Sequence, residues 1–220
     1  MPSSILLLCP PTDGRHLATA LSLHNPRLRL TAVSTLEELE TAAANAGAET
    51  RLIAFLTPIV VPLAILDRLA RPAYNFHPGP PAYPGKHPIA FALYDGAERY
   101  GATAHEMLAR ADSGSIVGMV EFPIPSGAPP SWLKDQAYAA TIRLFLMLSQ
   151  ALATRDDPLP RTTLIWGERR CSQRAFDAMR ELPPGIDQTE FERRIRAFNA
   201  ETGDGQPFIT LHGRHFMLEG

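Results

Sequence analysis

Short apolar runs alternate with helix-forming segments along the first third of the chain, and this alternation restricts the possible folds more than any other feature. The run SILLLC ends at Pro10, and the run TRLIAFL covers residues 50–56. Such short runs, dominated by apolar residues, are typical of strands buried in a parallel sheet. Helices are predicted between them, over residues 14–24 and from the N-cap Thr35 to Gly47. The series predicts an α/β fold, a Rossmann-like, mostly parallel sheet with helices on both faces.

The middle of the chain adds three predicted strands. AYNFH is a strand that ends at His77, and HPIAFALYDG is a helix with Pro88 in its first turn and Gly96 at its end. YGATAHEML and SIVGMVEFPI are predicted as neighbouring strands with Asp112 at the bend between them. His105 then lies on the same strand face as Thr103 and Met107.

A proline-rich stretch separates the last third of the chain from the part before it. TRDDPLPRTT, residues 154–163, is the predicted linker, and it follows a long helix for which Ser131 is the expected N-cap. We therefore expect a larger domain over residues 1–153 and a small extension over residues 164–220.

The extension is predicted to hold a helix and a β-hairpin. Asp187 and Glu190 form a pattern like a capping box before QTEFERRIRAFN. PFITLHGRHFML alternates around His212 and Gly213, which predicts the hairpin turn. The apolar hairpin is either the edge of a homodimer or a cover for the sheet.

Charge and cysteine content argue against several classes of protein. The formal net charge is −2, whereas nucleic-acid binding normally shows as clustered excess Lys and Arg. Cys9 and Cys171 lie far apart and match neither a disulfide framework nor a zinc site, so we expect reduced thiols, no bound metal and a cytoplasmic protein. We read no signal peptide and no run long enough to span a bilayer.

The stretch YNFHPGPPAYPG carries the candidate chemistry. Asn75 and His77 are two positions apart on a strand, so both side chains point to one face. An amide donor beside an imidazole suits a tetrahedral acyl intermediate, because one donates to the oxyanion and the other donates or moves a proton. The prolines that follow stiffen the loop. Alternatively, the two side chains are local hydrogen-bonding caps.

Further motifs follow in a fixed order: a Pro/Gly-rich loop ending in YPG, then HPIAFALYDG, YGATAHEM and ADSGSIV. Together they strongly resemble the formyltransferase family that uses 10-formyltetrahydrofolate. That family includes glycinamide ribonucleotide formyltransferase, methionyl-tRNA formyltransferase and the sugar-nucleotide N-formyltransferases. The resemblance covers residues 51–124 and implies a formyltransferase enzyme of one-carbon metabolism, with residues 1–153 as its catalytic domain.

The resemblance also implies a catalytic trio and a pocket for the formyl donor. The family's Asn-x-His and Asp-x-Gly motifs fall on Asn75, His77 and Asp112. His105 stands where purine-pathway members also carry a histidine; a strand histidine without a role is the alternative. The implied pocket for 10-formyltetrahydrofolate consists of Thr57, Pro58, Ile59, Val60, Val61, Ala109, Arg110 and Ala111. No metal is implied.

The implied mechanism is transfer of a formyl group between two amines. A substrate amine attacks the formyl carbon, while Asn75 and protonated His77 hold the oxyanion. Asp112 is expected to raise the pKa of His77 and to help to pass a proton to the folate nitrogen. The loop PGPPAYPG is one residue shorter than the common family form, so its path is left open.

The acceptor is expected to be a small amine, such as an amino sugar nucleotide or an amino-acid derivative. Pro10 and Pro11 remove amide donors where the purine-pathway enzyme has a phosphate loop, which disfavours glycinamide ribonucleotide. The part after the linker is too short for the tRNA enzyme's second domain. Arg193, Arg194 and Arg196 contact an anionic substrate or form a solvated helix face.

Other functions remain open beside formyl transfer. The first is hydrolysis of 10-formyltetrahydrofolate, with water in place of the amine. The others are a methionyl-tRNA formyltransferase-like protein and a non-catalytic folate-binding domain. A NAD-binding Rossmann protein is disfavoured because no G-x-G-x-x-G follows the first strand.

Overall fold

The computed structural model describes residues 2–47, 49–69, 71–169, 171–198 and 205–218. The chain forms eight strands and seven helices in these described parts. In order they are β1 (Ser4–Leu8), α1 (Gly14–His24), β2 (Arg29–Val33), α2 (Leu36–Ala44), β3 (Thr50–Phe55), α3 (Leu63–Arg68), β4 (Tyr74–His77), α4 (Pro88–Asp95), β5 (Arg99–Glu106), β6 (Ile116–Pro123), α5 (Pro130–Thr154), α6 (Gln173–Arg180), α7 (Gln188–Ala197), β7 (Phe208–Leu211) and β8 (Arg214–Met217).

Six strands form one sheet, in the order β2-β1-β3-β4-β5-β6. β2, β1, β3 and β4 run parallel to one another. β5 is antiparallel to β4, and β6 is antiparallel to β5. The mostly parallel sheet predicted from the sequence is therefore present. An antiparallel pair completes one side of it.

Alternate side chains of the central strands pack in two separate cores, one on each face of the sheet. Ile5 and Leu7 of β1 pack in the core that includes buried residues of α1 and α5. Leu6 and Leu8 pack in the core on the other face, with buried residues of α2 and α3. Each strand residue is buried on one face or the other, which explains the apolar runs and confirms helices on both faces.

Local capping signals account for several helix ends. Thr35 caps α2 in a full capping box, because its hydroxyl accepts from the Glu38 amide and the Glu38 carboxylate accepts from the Thr35 amide. Gly96 ends α4 in the left-handed conformation, with φ 67°. The predicted N-cap Ser131 is wrong, because α5 already begins at Pro130, whose ring suits the first helical position.

The long helix α5 is a core helix. Its 25 residues are long and apolar enough to cross a membrane by length and composition alone, which the sequence analysis did not recognise. One face of α5 packs on β5 and β6, and Leu133, Leu144 and Phe145 are fully buried there or nearly so. The guanidinium of Arg51 donates to the carbonyl oxygens of Leu152 and Arg155 and so holds the helix end in place.

The C-terminal third adds α6, α7 and a two-stranded sheet of β7 and β8. Asp187 caps α7 by accepting from the Glu190 amide, and the hairpin turns at His212 and Gly213, both with positive φ. Helix α6, which Ser172 caps, was not predicted from the sequence. It is only eight residues long, about two helical turns, so its apolar positions form too short a pattern to be recognised in the sequence.

Candidate active site

The candidate site lies on one face of the sheet, where β4 and β5 run side by side. Asn75 of β4 pairs with His105 of β5, and His77 pairs with Thr103, so their side chains share that face. The loop between β5 and β6 brings Asp112 to the same place. The structure therefore brings together the implied trio and adds His105 to it.

A cavity of about 490 Å³ opens at this cluster. That size is ordinary for a site that holds a small organic ligand. Asn75, His77, His105 and Asp112 all line it. The predicted donor-pocket residues that line it are Thr57, Pro58, Ile59, Val60, Val61, Arg110 and Ala111, whereas Ala109 is outside the lining.

His105 is the centre of the polar cluster. Its Nε2 lies 3.1 Å from Asn75 Nδ2 and 3.1 Å from Asp112 Oδ1. Its Nδ1 donates to the carbonyl oxygen of Glu106 at 2.8 Å. Because Nδ1 is committed as a donor, Nε2 can serve its two neighbours only in different protonation states. Unprotonated, it accepts from Asn75; protonated, it donates to Asp112.

Asp112 is held as a carboxylate. Burial alone would raise its pKa, but the hydrogen bond from His105, the nearby imidazoles and the Gly85 amide outweigh burial and lower the pKa to about 2. The Gly85 amide donates to Oδ2 at 2.8 Å. The side chain is only 8% exposed, so this negative charge is fixed inside the cluster.

His77 has a different environment from the one expected from sequence. Its Nε2 donates to the carbonyl oxygen of Tyr83 at 3.2 Å, and its Nδ1 faces Asp112 Oδ2 at 3.7 Å. Burial lowers the pKa of His77, and the opposing charge of Asp112 only partly offsets this. Asp112 thus raises the pKa of His77 as expected, but the expectation of a protonated His77 is wrong. The imidazole is neutral at neutral pH, because burial lowers its pKa by more than the charge of Asp112 raises it.

The proline-rich loop follows a defined path over β5. Tyr100 Oη donates to the carbonyl oxygen of Pro78 at 3.0 Å, and Thr103 Oγ1 donates to that of Gly79 at 2.8 Å. A Cβ on Gly79 would lie 2.6 Å from His77 Nε2, so only glycine fits there. The loop thus turns tightly around the His77 ring and fixes it.

Backbone strain is concentrated at this cavity. Among the described residues, four other than glycine have positive φ, and three of them line the cavity: Leu56 at 49°, His87 at 55° and Asp112 at 47°. Such conformations cost free energy and persist where the surrounding structure imposes them. The location of the strain is a second indication that this cavity is functional.

Several lining or neighbouring residues come from parts of the chain that the motifs did not indicate. His87 Nε2 donates to Gln173 Oε1 at 3.0 Å, and both residues line the cavity. Gly85 pairs with Cys171 in an isolated bridge, and the Lys86 amide donates to the Cys171 carbonyl oxygen at 2.6 Å. The only sequence signal for these contacts was the glycine in YPG, since the partners are about 85 residues away.

The three arginines of α7 have a structural position. Arg193 Nε donates to the carbonyl oxygen of Tyr94, and Arg196 Nε donates to that of Leu93, both in the last turn of α4. Arg194 pairs with Glu190. These bonds satisfy carbonyl groups at the end of α4 and attach α7 to it. Neither sequence expectation, an anion site or a solvated face, describes these contacts.

Both cysteines are free, as expected from the sequence, and both are buried. Burial raises the pKa of Cys9 to about 11 and that of Cys171 to about 12, so both are unreactive thiols at neutral pH. Within the described ranges, no group of three or more His, Cys, Asp or Glu side chains is arranged to hold a metal ion.

Comparison with known proteins identifies the family of the chain. The family model described as formyl transferase matches residues 19–140, which is more than half of the chain. The chain belongs to the formyl transferase family. The predicted family and fold class are thereby confirmed.

Individual relatives are more distant. A phosphoribosylglycinamide formyltransferase from Mycobacterium tuberculosis is 31% identical over 105 residues, which cover 47% of this chain and 49% of that protein. The chain thus spans about half the length of the curated relatives it matches.

Solved structures match over nearly the full length. A sugar N-formyltransferase from a Shewanella species has a TM-score of 0.76 at 14% identity, covering 99% of this chain and 97% of that one. An N-formyltransferase from Helicobacter canadensis, in complex with folinic acid and dTDP-3-aminofucose, has a TM-score of 0.68 at 12% identity, covering 97% and 85%. At sequence identities of 14% and 12%, this structural similarity establishes the fold alone.

Proposed function

We propose that this protein transfers a formyl group from 10-formyltetrahydrofolate to the amine of a small acceptor in the cytoplasm. One observation carries the proposal: a carboxamide and a carboxylate, Asn75 and Asp112, meet the same imidazole nitrogen of His105 at 3.1 Å inside one cavity. Acyl transfer needs an oxyanion donor and a proton carrier within reach of one carbon atom, and this cluster supplies both.

The cavity fits the folate donor. The loop after β3 lines it with the apolar side chains Ile59, Val60 and Val61, while Met107 lines it from the end of β5. In the described part of the chain, the backbone amides of Val60 and Val61 have no protein acceptor. Apolar walls and free backbone donors suit a flat heterocycle with hydrogen-bonding edges, as the pterin ring is.

Asn75 is the residue placed to stabilise the oxyanion. Its side chain has two N–H groups, and one of them reaches His105 Nε2. The second faces no acceptor among the described residues and is available to the formyl oxygen as it gains charge. His105 thus orients the amide, and the donor is in place before the amine attacks.

His105 and Asp112 hold, in turn, the proton that the acceptor amine must lose. When the amine attacks the formyl carbon, its proton moves to Asp112 and from there to His105 Nε2, 3.1 Å away. When the bond from the formyl carbon to the donor nitrogen breaks, the proton returns and is delivered to that nitrogen. His77, buried and neutral, lies on the opposite side, with its Nδ1 3.7 Å from Asp112 Oδ2.

The α1 end of the sheet argues against an acceptor whose phosphate binds there. Asp13, 5% exposed, precedes α1, and its Oδ1 accepts from Tyr138 Oη at 2.5 Å. A carboxylate thus occupies the helix end where an anion would otherwise bind. Together with Pro10 and Pro11 this disfavours glycinamide ribonucleotide, although the curated relative is named for that substrate.

An amino sugar nucleotide is the acceptor class that the fold relatives favour. The Helicobacter canadensis structure holds dTDP-3-aminofucose beside folinic acid. Here Lys86 and Arg110 line the cavity, and neither side chain has an acidic partner among the described residues. Two free cations at the cavity suit an acceptor that carries its negative charge on a diphosphate.

A panel of amines with 10-formyltetrahydrofolate tests the proposal. We expect release of tetrahydrofolate to depend on an added amino sugar nucleotide and to match formylated product in amount. Release of formate without an acceptor, unchanged by any amine, would instead establish a hydrolase. Binding of tetrahydrofolate without turnover over the whole panel would establish a non-catalytic folate-binding domain.

A further inference from the structure

Residues 162–169, here called the strap, cross behind the catalytic cluster. At one end, the Thr162 amide and hydroxyl both donate to the carbonyl oxygen of Ile116, at 2.8 and 3.0 Å. At the other end, the Gly167 amide donates to the carbonyl oxygen of Pro81 at 2.8 Å. The strap therefore joins the start of β6 to the proline-rich loop, which are the two elements that flank Asp112 and His77.

Trp166 of the strap contacts both imidazoles. Its ring is 5.0 Å from the His105 ring at an interplanar angle of 87°, and 6.1 Å from the His77 ring at 71°. Its Nε1 donates to the carbonyl oxygen of Gly114 at 2.8 Å, which fixes the orientation of the indole. Edge-to-face contacts of this kind are favourable, and they restrict how each imidazole can turn.

Trp166 also separates two cavities. His77 and His105 line the catalytic cavity, whereas Trp166 lines a surface depression of about 320 Å³ together with Arg161, Leu164 and Ile165. The indole thus lies between the imidazoles and that depression. Ile165 is 84% exposed, so the depression is open to solvent.

We propose that Trp166 is a positioning residue that keeps water from reaching the catalytic cluster through this depression. Its indole holds the His77 and His105 rings from behind, so that the formyl carbon is reached only from the side of the acceptor cavity. This inference rests on the proposed formyl transfer and deepens it, because it names the residue that favours an amine over water.

The competing reaction that Trp166 suppresses is hydrolysis of the donor. Water adds to the formyl carbon and loses a proton to the cluster, the bond from that carbon to the donor nitrogen breaks, and the proton is delivered to that nitrogen. Formate and tetrahydrofolate leave, with one proton released to solvent as formic acid ionises. Excluding bulk water from a reactive centre is a recognised way to prevent such side reactions.

Two measurements on the full chain test the inference. The first is the rate of formate release from 10-formyltetrahydrofolate without acceptor, compared between wild type and Trp166→Ala. We expect Trp166→Ala to increase formate release by about three- to tenfold, the range that loss of an aromatic pair contact supports. Trp166→Phe keeps a ring at this position but lacks the bond to Gly114, so we expect a smaller increase.

The second measurement needs no turnover. Diethylpyrocarbonate modifies accessible imidazoles, and peptide mass spectrometry reports the rate at His77 and at His105 separately. We expect both rates to rise in Trp166→Ala. The matched controls are Trp132→Ala and Trp132→Phe, because Trp132 is also partly buried but packs on Phe122, away from the cluster. Neither control should change formate release or imidazole reactivity.

The outcomes separate this inference from the proposed function. Unchanged imidazole reactivity in Trp166→Ala, or increased reactivity with unchanged formate release by an active protein, overturns the inference. Increased reactivity in a chain whose wild type shows neither formyl transfer nor donor hydrolysis supports the shielding by Trp166 and overturns the proposed function. If Trp166→Ala does not fold, Trp166→Phe is measured instead. We then expect formate release and imidazole modification to be faster in Trp166→Phe than in Trp132→Phe. Equal rates in the two variants overturn the inference.

Discussion

The side-chain amide of Asn75 lies 3.1 Å from Nε2 of His105, its direct partner across the antiparallel pair β4 and β5. The register of two strands, not a flexible loop, therefore sets the distance between the proposed oxyanion donor and its neighbouring imidazole. Residues on adjacent strands are positioned more accurately than residues on loops. This pairing makes His105 part of the candidate site, in contact with both Asn75 and Asp112.

Replacing Asn75 by Ala should lower kcat for formyl transfer by about a hundredfold or more, the usual cost of deleting one oxyanion donor. The KM for the folate donor should change much less, because the amide acts mainly on the transition state. Steady-state release of tetrahydrofolate measures both. Asn45→Ala, on the exposed end of α2, is the control and should retain wild-type turnover.

Asp112→Asn should destabilise the fold by about 2 kcal/mol at neutral pH, the linkage value for a carboxyl group whose pKa is lowered from 3.8 to about 2. Because the pKa of Asp112 is lower in the folded state than in the unfolded state, the carboxylate stabilises the fold at pH values above the unfolded-state pKa of 3.8. That stabilisation is lost as the pH falls through the folded-state pKa of about 2. Urea unfolding of both proteins between pH 3 and pH 7 measures it, and the difference should shrink at the acidic end. A difference that does not depend on pH contradicts the charge assignment.

The same substitution should lower the pKa of His77 further. Burial already lowers it from 6.5, and the charge of Asp112 opposes that shift, so removal of the charge leaves the burial effect unopposed. Histidine proton NMR resonances followed against pH report the midpoint in each protein. A higher midpoint for His77 in Asp112→Asn than in wild type is the result that rejects this account.

Gly85→Ala should damage both stability and turnover. Gly85 has φ 108°, its amide holds Asp112, and a Cβ would collide with the carbonyl oxygen of Cys171. Gly127→Ala is the matched control: φ is 74° there, but nothing lies within 4 Å of the added Cβ. The control should cost about 1–2 kcal/mol of stability, the penalty for a left-handed residue, and should leave turnover unchanged. Thermal unfolding and kcat should therefore separate the two variants.

Arg196→Met should lower stability without affecting substrate binding. The variant keeps an unbranched apolar stem but removes the hydrogen bond to the Leu93 carbonyl oxygen, worth about 1–3 kcal/mol. Thermal unfolding measures the loss, and KM for an anionic acceptor should remain unchanged. A large increase in KM with unchanged stability favours the anion-binding role considered from the sequence.

Sequence patterns predicted the layers of the fold because each depends on local chemistry. The apolar runs at β1 and β3, the capping box at Thr35 and the turn at Gly96 are all short-range signals. The motif spacing likewise pointed to the residues that converge on Asp112. Contacts between distant segments left no comparable signal. The position of Trp166 beside His105 depends on how residues 155–169 return over the sheet, and no local pattern encodes that path.

The protonation of His77 was mispredicted for a related reason. From the sequence, a carboxylate partner suggests a raised pKa, because only the pair is visible. The proline-rich loop buries the ring almost completely, and Gly79 allows the backbone to approach Nε2 closely. The cost of burial then exceeds the benefit of the ion pair, a balance that only the packed structure reveals.

The return of the strap over the cluster has a consequence for biosynthesis. Every implied catalytic residue lies before position 113, yet Trp166, Cys171 and Gln173, which support them, are synthesised some fifty to sixty residues later. A nascent chain whose sheet is already complete thus lacks a finished reaction centre. We therefore expect that a chain truncated before Trp166 has its implied catalytic groups but not the contacts that Trp166, Cys171 and Gln173 make around them.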